Sequence, residues 1–146
     1  MLRLVLDTNI WLDVLVFRDP AIAPICEAHA ARRAEILADA GGEAELIRAL
    51  GYDFGRRSLD AAAQAARMAE FRHMSVHAKS KLAGGTATLP LCRDPDDQKF
   101  LETALAVHAD ILVTKDNALL DLARRVPFRI LTPGAFAALE ADARQS

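Results

Sequence analysis

The sequence predicts an α/β fold, a parallel sheet with helices on both faces. Three observations carry that reading. The second half of the chain alternates strand, helix, strand, helix, strand, helix. Strands separated by helices pair in parallel, with the crossover helices packed on the sheet. The first strand run, Leu4-Val5-Leu6, is continuously apolar rather than alternating, which suits a central strand covered on both faces. Acids stand just beyond strand ends, at Asp7 and Asp116, where open sheets of this kind bind their ligands.

The 146 residues are the size of one domain. We expect a single domain over 1–146, with a helical insert at about 18–84. Half the residues are hydrophobic, so an ordinary core can form. The net charge of −2 advertises no polyanion partner, so contact with nucleic acid needs local cations or bound metal. Cys26 and Cys92 are far apart and make no zinc or redox motif, as in a reduced, cytoplasmic protein. The N-terminal apolar run is broken by Arg3 and is too short for a signal peptide. No run approaches the ~20 apolar residues of a membrane span, so no membrane partner is expected.

Leu2 to Leu6 is the first strand. Ile10 to Phe17 reads as a helix, broken by Arg18-Asp19-Pro20. From Ala21 to about Ala83 the chain reads as almost wholly helical. Pro24 to Ala40 has Ile25, Ala28, Ala31 and Ala34 at helical spacing, with a short strand near Ala34 to Leu37 as the alternative. Gly41-Gly42 punctuates, and Glu43 to Leu50 is a second helix. Ser58 is expected to cap a third, through Ala61, Ala65, Met68 and Phe71 and as far as Leu82, ending at Gly84-Gly85. Thr86 to Leu91 reads as a short or edge strand, because Pro90 cannot donate to a ladder.

The stretch Cys92 to Asp116, CRDPDDQKFLETALAVHADILVTKD, carries the chemistry. Asp94 is placed as an N-cap, Pro95 as the first helical residue, and Asp96 and Asp97 in the first turn. Ala109 to Thr114 is a strand ending near Asp116. Asn117 to Arg125 is helical, Phe128 to Leu131 is the last strand, and Thr132-Pro133 starts a closing helix from Gly134 to Ala143. The topology brings Asp7, Asp94, Asp97 and Asp116 to one edge. Gathered carboxylates repel and are costly to desolvate, so they stay ionised only beside a cation. All-oxygen ligands select Mg²⁺ or Mn²⁺, ions that can activate water against a phosphodiester. Of the basic residues, Lys99 and Lys115 flank the acids and are the best candidates to hold substrate phosphates.

VLDTNIWLDVLVF (Val5 to Phe17), EAELIRAL (Glu43 to Leu50), the stretch from Cys92 to Leu122 and RILTPGAFAAL (Arg129 to Leu139) together resemble the PIN-domain nucleases. The resemblance is to the branch of toxin components of toxin–antitoxin pairs. It covers both ends of the chain and leaves about Gly51 to Leu91 unsupported. It implies a PIN-like three-layer fold and a metal-dependent endoribonuclease leaving 5′-phosphate and 3′-hydroxyl ends. Asp7, Glu45, Asp97 and Asp116 match the family's catalytic acids, with Asp7, Asp97 and Asp116 on the metal. Asn9 and Thr114 match residues that orient them, and Asp94 is a further, supporting acid. RNA as substrate, an antitoxin protein and a homodimer are the partners it implies. The chain departs from the branch at Asp39 to Glu43, where relatives run from a short strand into a Ser-led helix.

Plainer roles compete. Asp7, Asp94 and Asp116 could each serve only as helix caps, Asp97 could complement a helix dipole, and Glu43 rivals Glu45. Trp11 is read as core or a dimer contact. A PIN-like domain that binds RNA without cutting is one alternative function. A receiver-like signalling module is another, although its paired acids after the first strand are here Asp7-Thr8.

Overall fold

A computed structural model describes residues 1–78 and 89–145. Among the described residues, five parallel strands form one sheet in the order β3-β2-β1-β4-β5. They are β1 (Leu2–Leu6), β2 (Ala34–Ala38), β3 (Ser75–His77), β4 (Ile111–Val113) and β5 (Arg129–Leu131). Leu4 of β1 lies opposite Ile36 on one side and Ile111 on the other. β1 is therefore central, as its unbroken apolar run predicts.

Alternation along each strand feeds two cores. Leu4, Leu6, Ile36, Ile111 and Val113 enter one, and Val5, Leu37, Leu112 and Ile130 the other. The first core is closed by α1 (Thr8–Leu12), α2 (Ala23–Ala30), α3 (Ala40–Leu50), α4 (Ala61–Met74) and α7 (Pro133–Gln145). The second lies under α5 (Gln98–Ala106) and α6 (Asn117–Leu120). The layers are helix, sheet, helix. Among the described residues, no helix is long and apolar enough to cross a membrane.

The stretch expected as a helical insert at about 18–84 is where the reading needs correction. It contains two strands, β2 and β3. α2 stops at Ala30, the chain turns with Arg32 at a φ of 60°, and Ala34–Ala38 inserts between β1 and β3. Ala-Glu-Ile-Leu-Ala is good helix-forming composition; its place between two strands overrides that propensity. Gly41-Gly42 does not interrupt. Both lie in the first turn of α3, which Asp39 caps by accepting from the Gly42 N–H at 2.9 Å. An acid thus stands at the cap that the family resemblance gives to a serine.

α4 is capped by Asp60, not Ser58. The Ser58 hydroxyl instead accepts from the Phe54 N–H and donates to Asp53. α4 ends at Met74 because Ser75–His77 leaves it to pair with Ile36–Ala38 of β2. The expected continuation to Leu82, the Gly84-Gly85 stop and the start of the Thr86 to Leu91 strand lie outside the described residues. Leu89 to Leu91 are in no strand.

The N-terminal helix is α1 followed by a π-helical turn, Asp13–Phe17, which ends at Arg18 in the left-handed region. Asp94 caps a single 3₁₀ turn, Pro95–Asp97, before α5. The helix expected at Asn117 to Arg125 is the short α6 and then a 3₁₀ turn, Ala123–Arg125. Thr132 accepts from the Ala135 N–H at the start of α7, the cap-then-Pro arrangement of the sequence.

Candidate metal centre

β1 and β4 end side by side, with the Asp7 N–H donating to the Val113 carbonyl. Asp7 caps α1: its Oδ1 accepts from the Ile10 N–H at 2.9 Å, and its Oδ2 accepts from the Thr114 hydroxyl. Thr114 is fully buried, and its Oγ1 also accepts from the Asp116 N–H at 2.9 Å. One hydroxyl thereby ties the acid after β1 to the acid after β4. Asp116 caps α6 through the Ala118 N–H, 2.9 Å from its Oδ1.

The remaining acids come from the turn into α5, which packs against both β1 and β4. One carboxylate oxygen from each of Asp94, Asp97 and Asp116 lies within 4.8 Å of the others. Asp94, expected as a supporting acid, stands beside Asp97 and Asp116 in this group. Asp7 adjoins this trio in the same cleft, of about 350 Å³.

The charges strain against one another. Burial pushes the Asp97 carboxyl up to about 8; a proton shared with Asp116 and the charges of Asp116, Asp94 and Asp7 add to the effect. Asp116 is held below its ordinary range, first by that same hydrogen bond from Asp97 and then by the Ala118 N–H. Burial raises Asp7 to about 6 against the opposing hydrogen bonds from Thr114 and Ile10. Among the described residues, no donor faces the buried Asp97 Oδ2. An orphaned carboxylate oxygen among all-oxygen neighbours is the donor set that a hard divalent cation fits.

Glu45 lines the same cleft from α3. Its Oε2 accepts from the Thr8 hydroxyl, and its Oε1 lies 3.3 Å from Lys99 Nζ. Glu43 faces away, pairing with Arg72 at 2.9 Å and lying 3.8 Å from His77. Of the two glutamates, Glu45 is thus the one in the cleft. Asn9 is exposed on its wall.

Both lysines that flank the acids have acidic partners. Lys99 is engaged by Glu45, and Lys115 by the buried Asp13 of the π-helical turn. Trp11 is buried and meets Phe71 edge to face, rings 4.7 Å apart, so it belongs to the core.

Several residues of the cleft escape the sequence reading. Thr8 is concealed because a threonine after an acid reads as an ordinary helix start. Phe17, Tyr52 and Phe54 also line it. The only signal for Tyr52 is that it is the sole tyrosine and follows the glycine ending α3.

A protein-family profile described as PIN domain matches residues 3–118. The solved structure of VapBC2 from Rickettsia felis bound to a DNA fragment from their promoter shares the fold. One of its chains matches with a TM-score of 0.62 and 16% sequence identity, over 89% of this chain and 97% of that one. No curated protein matches in sequence.

Proposed function

Because the chain belongs to the PIN-domain family, we propose that it is a metal-dependent endoribonuclease, with Mg²⁺ or Mn²⁺ held by Asp94, Asp97 and Asp116 beside Asp7. The observation that carries this reading is the convergence within 4.8 Å of acids from the turn into α5 and from the segment after β4, with Asp7 at the end of β1 in the same cleft. A divalent cation there would neutralise charge building on a phosphodiester and acidify the attacking water.

The protein's own groups do the rest. Thr114 sets the distance between Asp7 and the start of α6. Asp116 is oriented by the Ala118 N–H. Glu45, which lines the same cleft, would orient the attacking water, with Thr8 and Lys99 holding its carboxylate. Asp97, whose carboxyl is pushed up to about 8 first by burial, would lose its proton on binding a cation. In-line hydrolysis would leave 5′-phosphate and 3′-hydroxyl ends, as the family resemblance implies. The likeness to a VapBC2 chain supports a toxin paired with an antitoxin protein.

The direct test is incubation of purified protein with unstructured RNA. We expect cleavage with Mg²⁺ or Mn²⁺, none with a chelator, and 5′-phosphate ends. Persistent cleavage in chelator would refute the reading. Thr114→Val keeps the buried shape but loses both hydrogen bonds. It should lower cleavage or metal affinity about 10–100-fold, as loss of a supporting contact at a metal site does. Unchanged kinetics would remove Thr114 from the positioning role.

A further inference from the structure

We propose that Tyr52 and Phe54 form a stacking shelf for a nucleobase of a single-stranded substrate, at the cleft that holds the acids. The nuclease reading supplies the identity of the strand, and the proposal rests on it to that extent. Tyr52 is 57% exposed yet lines the same cleft as Asp94, Asp97 and Asp116. A large exposed ring in so acidic a cleft is poorly explained by packing.

The rings leave a face open. Phe17 and Phe54 meet edge to face, centroids 5.3 Å apart, so Phe54 is braced from behind. Tyr52 is tilted 58° from Phe54 at 6.5 Å, which is not a stacked pair. A planar base can lie against such a surface, and stacking tolerates any base because each has a π-face. Bases in a duplex are already stacked, so the shelf favours single strands.

The loop carrying the rings is tied down. Asp53 Oδ1 accepts from the Gly55 N–H at 2.8 Å and from the Ser58 hydroxyl at 3.1 Å. The Phe54 N–H donates to Ser58 Oγ at 2.7 Å. Gly55, at a φ of 64°, closes the turn in the region that glycine tolerates best. Little ordering remains to oppose binding. Arg57 donates one guanidinium hydrogen bond to the Phe17 carbonyl at 2.9 Å and is otherwise exposed. Its remaining donors suit a phosphate, beside Phe17, whose carbonyl it holds and which lines the cleft. Flat neutral rings beside a guanidinium match a base and its phosphate.

The test is the anisotropy of a labelled oligoribonucleotide with Ca²⁺ in place of Mn²⁺, so that the strand is bound without being cut. Tyr52→Ala should weaken binding of the single strand about ten-fold, and Tyr52→Phe should bind as wild type. An abasic oligomer should bind wild type as weakly as the normal strand binds Tyr52→Ala. Equal binding by Tyr52→Ala and wild type would overturn the shelf; that is also the result expected if the rings served a protein partner instead. A Tyr52→Phe protein as weak as Tyr52→Ala would overturn it too, by assigning the effect to the hydroxyl. The two readings fail separately. Wild type that binds through Tyr52 but cuts no RNA ends the nuclease reading alone. Wild type that cuts RNA while Tyr52→Ala binds equally ends the shelf alone.

Discussion

Asp97→Asn is expected to slow RNA hydrolysis by about a thousand-fold while leaving the metal-free protein at least as stable as wild type. The loss follows from the charge. The amide matches the carboxyl in shape but cannot bring a negative oxygen to a cation, and metal stabilisation of a transition state is worth several kcal/mol, where each ~1.4 kcal/mol is ten-fold in rate. The preserved stability follows from the same electrostatics. Asp97 faces Asp94, Asp116 and Asp7 with Oδ2 lacking a donor among the described residues. An amide in its place offers hydrogen-bond donors to those carboxylates and carries no charge. Single-turnover cleavage and thermal melts in chelator measure the two halves. Cleavage within a few-fold of wild type would remove Asp97 from the reaction. Reduced activity together with a large drop in melting temperature would mean that the residue is structural.

Binding of Mn²⁺ should release a proton from Asp97 and raise the melting temperature by about 5–10 °C at a hundred-fold excess over Kd. That excess corresponds to about 2.7 kcal/mol, and a domain of this size shifts by about 2–4 °C per kcal/mol. The sign with pH follows from the folded-state values. Asp97 is raised from 3.8 to about 8 and Asp7 from 3.8 to about 6. Between those limits the folded, metal-free protein holds more protons than the unfolded chain, so its stability falls as pH rises from about 4 to about 8 and levels off beyond. Metal affinity runs the other way, rising up to ten-fold per pH unit between about 6 and 8. Melts across this range with and without Mn²⁺, and calorimetry in buffers of different ionisation enthalpy, give the stability and the proton count. No proton release at pH 7, or release that persists in Asp97→Asn, would contradict the assignment.

Much of the site was legible because its signals are local. A continuous apolar strand run followed by Asp7, and Ile111-Leu112-Val113 followed by Thr114-Lys115-Asp116, mark carboxylates at strand ends, and parallel topology gathers such ends on one edge. Asp94-Pro95 marks a cap from its own backbone chemistry. Local signals do not say which way a side chain turns. Lys115 is adjacent to Asp116 in sequence, but successive residues of extended chain point to opposite sides, and Lys115 reaches Asp13 instead. Lys99 likewise reaches Glu45 across the cleft, a contact between helices that no spacing within α5 announces.

The amino-acid order by itself determined the layered α/β architecture, the central place of β1 and the edge where the acids collect. These depend on hydrophobic periodicity and on residues within a few positions of each other. Only the tertiary structure decided that Ala34–Ala38 and Ser75–His77 are strands, that Asp94 joins Asp97 and Asp116, and that Tyr52 and Phe54 share their cleft. Each of those depends on a neighbour distant in sequence: a strand needs a partner to complete its hydrogen bonds, and a carboxylate's place depends on the segment packed beside it.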